Sequence, residues 1–285
     1  MTDEPTLPHE HLPPPPPAAP TGPDRVRTTP TVRSAWLVLG ALAATLGFLY
    51  STFQVVGVLA HEERDESVRI ADPGVAVLDV RSDGGSIEVV GADVDDVRIE
   101  ARVSDGLVPT RFTQDVVGDR LQVRVRCRLP IENYWCRADL RIVIPRDLEV
   151  EVRSREDSIA LRGLSGRVDA ESGDGSVEAE ALSGATRLHS SNGSVRASRL
   201  RTESLQADSG NGSVRVEFAR PPSSAIARST NGSVDVAVPR GDEAYAVDVD
   251  SANGSTRNLV RSDPESDRRI VATTSNGRVT VRYLD

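Results

Sequence analysis

Three patterns in this 285-residue chain carry residue types that could do chemistry. The first is Ser190-Ser191-Asn192-Gly193-Ser194-Val195, with close copies at Ser209–Val214 and Ser229–Val234. Asn or Asp side chains at stacked turns can ligate calcium. Asn-Gly-Ser at Asn192, Asn211, Asn231 and Asn253 has the form of a glycosylation sequon. A serine beside a bend could act as a nucleophile if a base stood next to it. The second pattern is Cys127 and Cys136, nine residues apart, which could bridge or hold a metal. The third is Tyr134-Trp135, the one adjacent aromatic pair after residue 60 and a candidate contact surface.

The first pattern is one of eight aligned units, which sets what must position it. With the Asn of each Asn-Gly pair at position zero, the units centre on Gly84, Glu156, Asp174, Asn192, Asn211, Asn231, Asn253 and Asn276. From Glu156 onward the intervals are 18, 18, 19, 20, 22 and 23 residues, and a 72-residue gap precedes that series. Positions −6, −4, +3 and +5 are apolar in 29 of 32 cases, whereas the interleaved positions are apolar in only six of 32. Period two on both flanks of every turn predicts half-buried β-strands with one inward face. Position −2 is Ser or Thr in all eight units, and its parity points the hydroxyl inward, where it can satisfy backbone groups leaving the ladder.

Asn-Gly is read as a turn signal, because both residues tolerate positive φ. The expected structural turns are Asn192-Gly193, Asn211-Gly212, Asn231-Gly232, Asn253-Gly254 and Asn276-Gly277. Stacked coils of 18 to 23 residues, with small inward residues such as Ala170, Ala179 and Ala207, favour an all-β solenoid. A multi-hairpin sandwich or roll is the alternative. Thr256 and Asn258 break the apolar columns, so the Asn253 coil is the expected irregularity, and the C-terminal unit is expected to cover the far end.

That architecture absorbs most of the chemistry. Calcium-binding repeats use about nine residues per repeat with Asp inside the turn, whereas here the spacing is double and Asp stands at zero only once. Serine recurs at every bend while histidine reaches one unit, His189, so nucleophilic catalysis and catalytic residues are not expected. No metal or other cofactor is expected. The sequons overlap a triplet already explained by the turn. Cys127 and Cys136 lie between two alternating runs, 121–126 and 138–144, and read as a disulfide across the tip of a hairpin within an insertion spanning 97–144.

The N-terminal part is different in kind. Residues 1–33 carry the run Pro13–Pro17 and almost no large apolar side chains, and read as a disordered cytoplasmic tail. Residues 34–60 hold 26 uncharged positions from Ala35, enough to cross a bilayer core of roughly 30 Å. Arg25, Arg27 and Arg33 precede the span and Glu62, Glu63, Asp65 and Glu66 follow it, so the N-terminus is expected inside and the remainder outside. A cleaved signal peptide is the rival reading. Residues 61–74 are expected as a juxtamembrane linker, and 75–285 as the β-repeat ectodomain. The net charge of −9 argues against a nucleic-acid partner.

With the Ser-x-Asn-Gly-Ser-Val units, the Leu140–Pro145 run and the closing 274–281 segment laid out, the chain resembles the bacterial DUF4097 family. These are also called toast-rack or "putative adhesin" domains. The resemblance covers roughly residues 75–284. It implies a solenoid-like domain on an envelope protein, and some relatives are linked to envelope-stress sensing; it brings no catalytic residues. The expected function is therefore a non-enzymatic, single-pass protein of the cytoplasmic membrane that presents a β-repeat domain outside it for adhesion, binding or scaffolding, with an unknown envelope protein or glycan as partner. A stress-sensing component with a separate cytoplasmic partner is the alternative, and a glycan-acting enzyme a distant third.

Overall fold

The computed structural model describes residues 30–59, 62–70, 74–105, 110–127 and 136–284. The proline-rich segment up to residue 29 and the pair Tyr134-Trp135 lie outside the described residues. The chain divides into two compact units, Met1–Gln54 and Val55–Asp285. Helix α1 (Pro30–Leu59) has an 18-residue window, Ala35–Thr52, with mean hydropathy 1.6 and side chains open to the surroundings. The Thr45 and Thr52 hydroxyls donate to the carbonyls of Ala41 and Phe48, four residues back. Polar groups satisfied within the helix are what a bilayer demands, so α1 is long and apolar enough to span a membrane.

The second unit is built from strands. In chain order these begin β1 (Glu62–Ile70), β2 (Val77–Ser82), β3 (Ile87–Ala92), β4 (Val97–Asp105) and β5 (Arg111–Val117). They continue β6 (Arg120–Arg126), β7 (Arg137–Pro145), β8 (Glu149–Ser154), β9 (Ile159–Arg162), β10 (Val168–Ser172) and β11 (Val177–Glu180). Then follow β12 (Thr186–Ser190), β13 (Val195–Leu200), β14 (Ser204–Ser209), β15 (Val214–Phe218), β16 (Ser224–Ser229) and β17 (Val234–Val238). Two long strands, β18 (Ala246–Asn258) and β19 (Arg269–Tyr283), complete it and run straight through their corners.

Each coil lays one arm on each of two sheets. On the first, the order is β5-β6-β2-β8-β10-β12-β14-β16, then the leading halves of β19 and β18. On the second it is β1-β4-β7-β3-β9-β11-β13-β15-β17, then the trailing halves of the same two strands. All coil-to-coil pairings are parallel, as a solenoid requires and a sandwich of hairpins does not allow. Position −6 forms one inward ladder: Leu121, Leu78, Val150, Val168, Thr186, Leu205, Ala225, Ile270 and Val247. All but the last of these are buried. At about 25 cal/mol per Å² of apolar surface removed from water, such ladders are the main source of cohesion between coils.

Four expectations change. The 97–144 segment is no hairpin insertion on a completed coil: β6 and β7 sit on opposite sheets and make a coil of their own, stacked outside β2 and β3. Only β4 and β5 pair antiparallel there. Residues 62–70 of the expected linker instead form β1, because alternation of Val68 and Ile70 with charged residues suits an edge strand on β4. The C-terminal unit does not cover the far end. β19 fills a slot between the Asn231 coil and β18, so the Asn253 coil is the terminal one. Its Thr256 and Asn258 are tolerated because both are exposed there.

The fourth change concerns the turns. None of the corner asparagines has positive φ, nor do Gly193, Gly212 or Gly232. What requires glycine is proximity. A Cβ on Gly212 would stand 2.4 Å from the carbonyl oxygen of Gly193 in the coil beneath. Of the glycines at position +1 only Gly85 (103°) and Gly277 (154°) have positive φ; it also occurs at the opposite corner, at Gly163 (67°), Ala181 (55°) and Arg199 (53°). Beside that corner runs a buried ladder the period-two columns do not contain: Leu164, Leu182, Leu200, Phe218 and Val238.

Candidate functional site

At the Asn192 and Asn211 corners the −2 hydroxyl is buried and makes two bonds. Ser209 Oγ donates to the Gly193 carbonyl (2.9 Å) in the coil beneath and accepts from the Gly212 N–H (2.8 Å) in its own. Ser190 does the same with Gly175 and Gly193, both at 2.8 Å. Outside this row the asparagine amides form a second ladder, each Nδ2 donating to the side-chain oxygen beneath. Asn211 donates to Asn192 (2.6 Å), Asn231 to Asn211 (2.8 Å), Asn276 to Asn231 (2.8 Å) and Asn253 to Asn276 (3.0 Å). Asn192 donates to Asp174. In this ladder the side-chain oxygens of Asp174, Asn192, Asn211, Asn231 and Asn276 each accept one amide N–H. Among the described residues no group of three or more His, Cys, Asp or Glu side chains is placed to hold a metal ion.

The disulfide corner replaces this device in the β6–β7 coil. Cys127 and Cys136 are joined, with Cα atoms 5.8 Å apart. The Cys127 N–H donates to Asp83 (3.2 Å) and the Ala138 N–H to the Gly84 carbonyl (3.1 Å), seating the corner on the coil beneath. The sequence pattern brought the cysteines together correctly in space but as hairpin arms, which they are not.

Next to this corner the outer face of the first sheet carries an arginine cluster that the sequence reading missed. Parallel register sets Arg124 beside Arg81 and Arg81 beside Arg153. Antiparallel register sets Arg111 directly opposite Arg126. Like charges directly opposed across an antiparallel pair are destabilising. Arg81 is paired with Asp79 (3.2 Å), and Arg153 lies 3.7 Å from Glu151. Arg120 pairs with Glu151 at 3.0 Å, which holds that carboxyl below its ordinary range. Arg124 has only the neutral Gln122 (2.8 Å), and Arg111 and Arg126 have no carboxylate partner among the described residues. The signal was available: the −3 column reads Arg81 and Arg153, and β6 alternates Arg120, Arg124 and Arg126 with Leu and Val. It went unread because β6 was not recognised as a coil in register with the repeats.

The second sheet's outer face at this end is balanced instead. Asp139 accepts from the Ser86 N–H (2.8 Å) and hydroxyl (2.7 Å) and from Arg137 (3.3 Å). Burial acts to raise its carboxyl, yet these donors hold it below the ordinary range. At the far end Tyr245 is buried with no partner for its hydroxyl among the described residues, and burial, with Glu243 nearby, pushes it up to about 12.

Stacked coils with an Asn-Gly corner and a capping edge on one side define a rack, and the model of the Toastrack DUF4097 family matches residues 50–283. The chain belongs to the Toastrack DUF4097 family. It is similar to a "putative cell adhesion protein" from Clostridium sporogenes, at 10% identity over 78% of this chain and all of that one, with TM-score 0.39. It is also similar to a "putative adhesin" from Parabacteroides merdae (11% identity, 79% and 97% covered, TM-score 0.36). A third, from Bacteroides fragilis, has 13% identity, 78% and 97% covered, and TM-score 0.32. No curated protein matches the sequence. In this Toastrack chain the arginine cluster, set on a rigid sheet and short of carboxylates, is the feature best suited to hold a ligand.

Proposed function

We propose that the chain is a non-enzymatic, single-pass envelope protein that displays its rack outside the cytoplasmic membrane and binds anionic envelope polymer through the arginine face. The observation that carries this is the juxtaposition of Arg111 and Arg126 on adjacent strands with no carboxylate between them. A protein of net charge −9 has acid to spare. Leaving two to three guanidiniums unneutralised on one face costs stability unless an anion completes them, and guanidinium forks suit carboxylate and phosphate groups. The site is a surface of fixed charges at strand spacing, which favours a repeating polyanion over a small molecule. The apolar length of α1, with arginines before it and acids after it, supports the orientation.

The test uses the full-length protein in detergent micelles with two soluble polyanions, polyglycerol phosphate and polygalacturonate. Binding to at least one should weaken as salt rises, and Arg111→Glu with Arg126→Glu should abolish it. The outward pair Arg196→Glu with Arg215→Glu, in the middle of the rack, should leave it intact. Equal loss from both pairs, or none from the first, refutes the reading.

A further inference from the structure

The far end of the rack is open, whereas the near end is closed by antiparallel strands. β18 pairs on one side with β19 along twelve registered positions; on its other edge the described residues place only the bridge from Tyr245, just before the strand, to Ser262, and Val247 to Asn258 have no strand partner there. Its inward Val247 and Val249 are only half-buried, and the corner from Ala252 to Asn258 is exposed. An exposed edge this long is a template for pairing unless it is blunted by Pro, a bulge or dense charge. β18 has no proline and no bulge in its pairing with β19, and three charged residues: Asp248, Asp250 and Arg257. None of the three makes an ion pair among the described residues. By contrast β1, on the near-end edge, carries six charges in nine residues.

We propose that this open end is covered by the same end of a second copy, with the β18 edges pairing antiparallel about a two-fold axis through the Asn253 corner. A filament is disfavoured, because the near end presents antiparallel strands and a charged edge in place of a matching open coil. Two open ends can close only on each other, which makes the contact isologous. A two-fold through the corner exchanges the two arms, so the first arm of one copy lies antiparallel on the second arm of its mate.

Parity restricts pairing to alternate registers, and we take the one whose axis falls between Ala252 and Asn253. That register keeps inward residues opposite inward ones and places Val249 against Thr256 and Val247 against Asn258 of the mate. The same register sets Asp248 against Arg257 on the outward faces, and symmetry repeats the pair. Within one copy these two belong to different arms, on opposite outer faces, and cannot meet. The strand is thus charge-complementary to itself only when reversed, and that selects a second copy as the occupant. This contact is independent of the arginine face, which lies at the other end of the rack.

The test measures the mass of the full-length protein in detergent micelles and its crosslinking. Both native cysteines are joined to each other, so Ala252→Cys introduces a single thiol beside the axis. Wild type should run as a dimer, and A252C should give a disulfide-linked dimer on mild oxidation. S183C, exposed at the opposite corner, should not. Arg257→Asp sets like charges opposite twice and should weaken dimerisation roughly tenfold to a hundredfold. Asp248→Arg combined with Arg257→Asp should restore it. A monomeric wild type, a dimer indifferent to R257D, or a double variant no better than R257D overturns the proposal.

Discussion

The two corners of each coil solve the same problem with opposite means. At the Asn-Gly corners of Gly193, Gly212 and Gly232 the backbone stays in ordinary conformations and closeness sets the constraint. The Gly193 and Gly212 positions sit so near the carbonyl beneath that no Cβ fits, while a buried hydroxyl and an amide ladder tie each coil to the last. At the opposite corner the chain takes a left-handed turn at Gly163, Ala181 and Arg199. There the residue type is relaxed, and cohesion comes from apolar side chains, Leu164 through Val238, stacked alongside. One corner is held by shape and hydrogen bonds, and the other by burial. Sequence repeats strongly where geometry is unforgiving and drifts where a hydrophobic contact of roughly the right size suffices.

The largest effect should come from forcing a side chain into the tight corner. Gly212→Ala would drive Cβ against the Gly193 carbonyl in a row where neither coil can yield without breaking its ladder. A loss of about 3 kcal/mol, the upper end for overpacking, should appear in denaturant unfolding of the protein. A change within experimental error would show that the corner can spread, and the contrast with the opposite corner would collapse.

Second in size is the disulfide. The β6–β7 corner has only one coil to lean on and lacks the Ser-Asn-Gly device. Joining Cys127 to Cys136 closes a loop of about ten residues, for which the chain-entropy relation gives about 2–3 kcal/mol. Replacing both by serine should cost that amount and should raise hydrogen exchange in β6 before it does so in β12 or β14. Uniform exchange along the rack would mean that the clip is redundant with stacking.

Within the tight corner the two ladders should separate. Ser209→Ala leaves the Gly193 carbonyl and the Gly212 N–H unsatisfied in a buried setting, costing about 2 kcal/mol. Asn211→Ala removes an exposed rung and should cost under about 1 kcal/mol. Thermal unfolding of the two variants side by side reads the difference. Equal losses would shift the weight of the corner from its buried hydroxyls to its surface amides.

How much of this was legible follows the same division. The inward columns were readable because strands alternate with period two and water rejects apolar groups, so Val150 or Val214 declare their direction locally. The −2 serines declared theirs through parity. Coil order was not readable, because the slot for β19 between two earlier coils is set by which ladder it completes, and Ile270 and Val247 look alike in sequence. The role of β6 was hidden for a similar reason: its corner carries cysteines in place of Asn-Gly. The arginine cluster depends on that placement, since Arg124 and Arg81 become neighbours only once β6 lies on β2. Glycine at Gly193, Gly212 and Gly232 was recognised for the wrong reason, because crowding from a neighbouring coil 18 to 20 residues away leaves no local trace.

The smallest prediction reverses the sign of the first. Ala181 holds φ at 55°, where an L-residue with Cβ is strained by about 1–2 kcal/mol, and its side chain is exposed. Ala181→Gly removes that strain but lets the unfolded chain explore more conformations, at a cost of about 0.5–1 kcal/mol. The balance is a gain of about 0.5 kcal/mol. Four residues on, Ala185 is also exposed but has ordinary φ, so Ala185→Gly keeps only the entropic loss and should destabilise by about 0.5–1 kcal/mol. Equilibrium denaturation of the pair therefore tests sign, a stronger criterion than size. If both variants lose stability equally, the left-handed turn carries no strain there, and the opposite corner is as forgiving of its backbone as it is of its side chains.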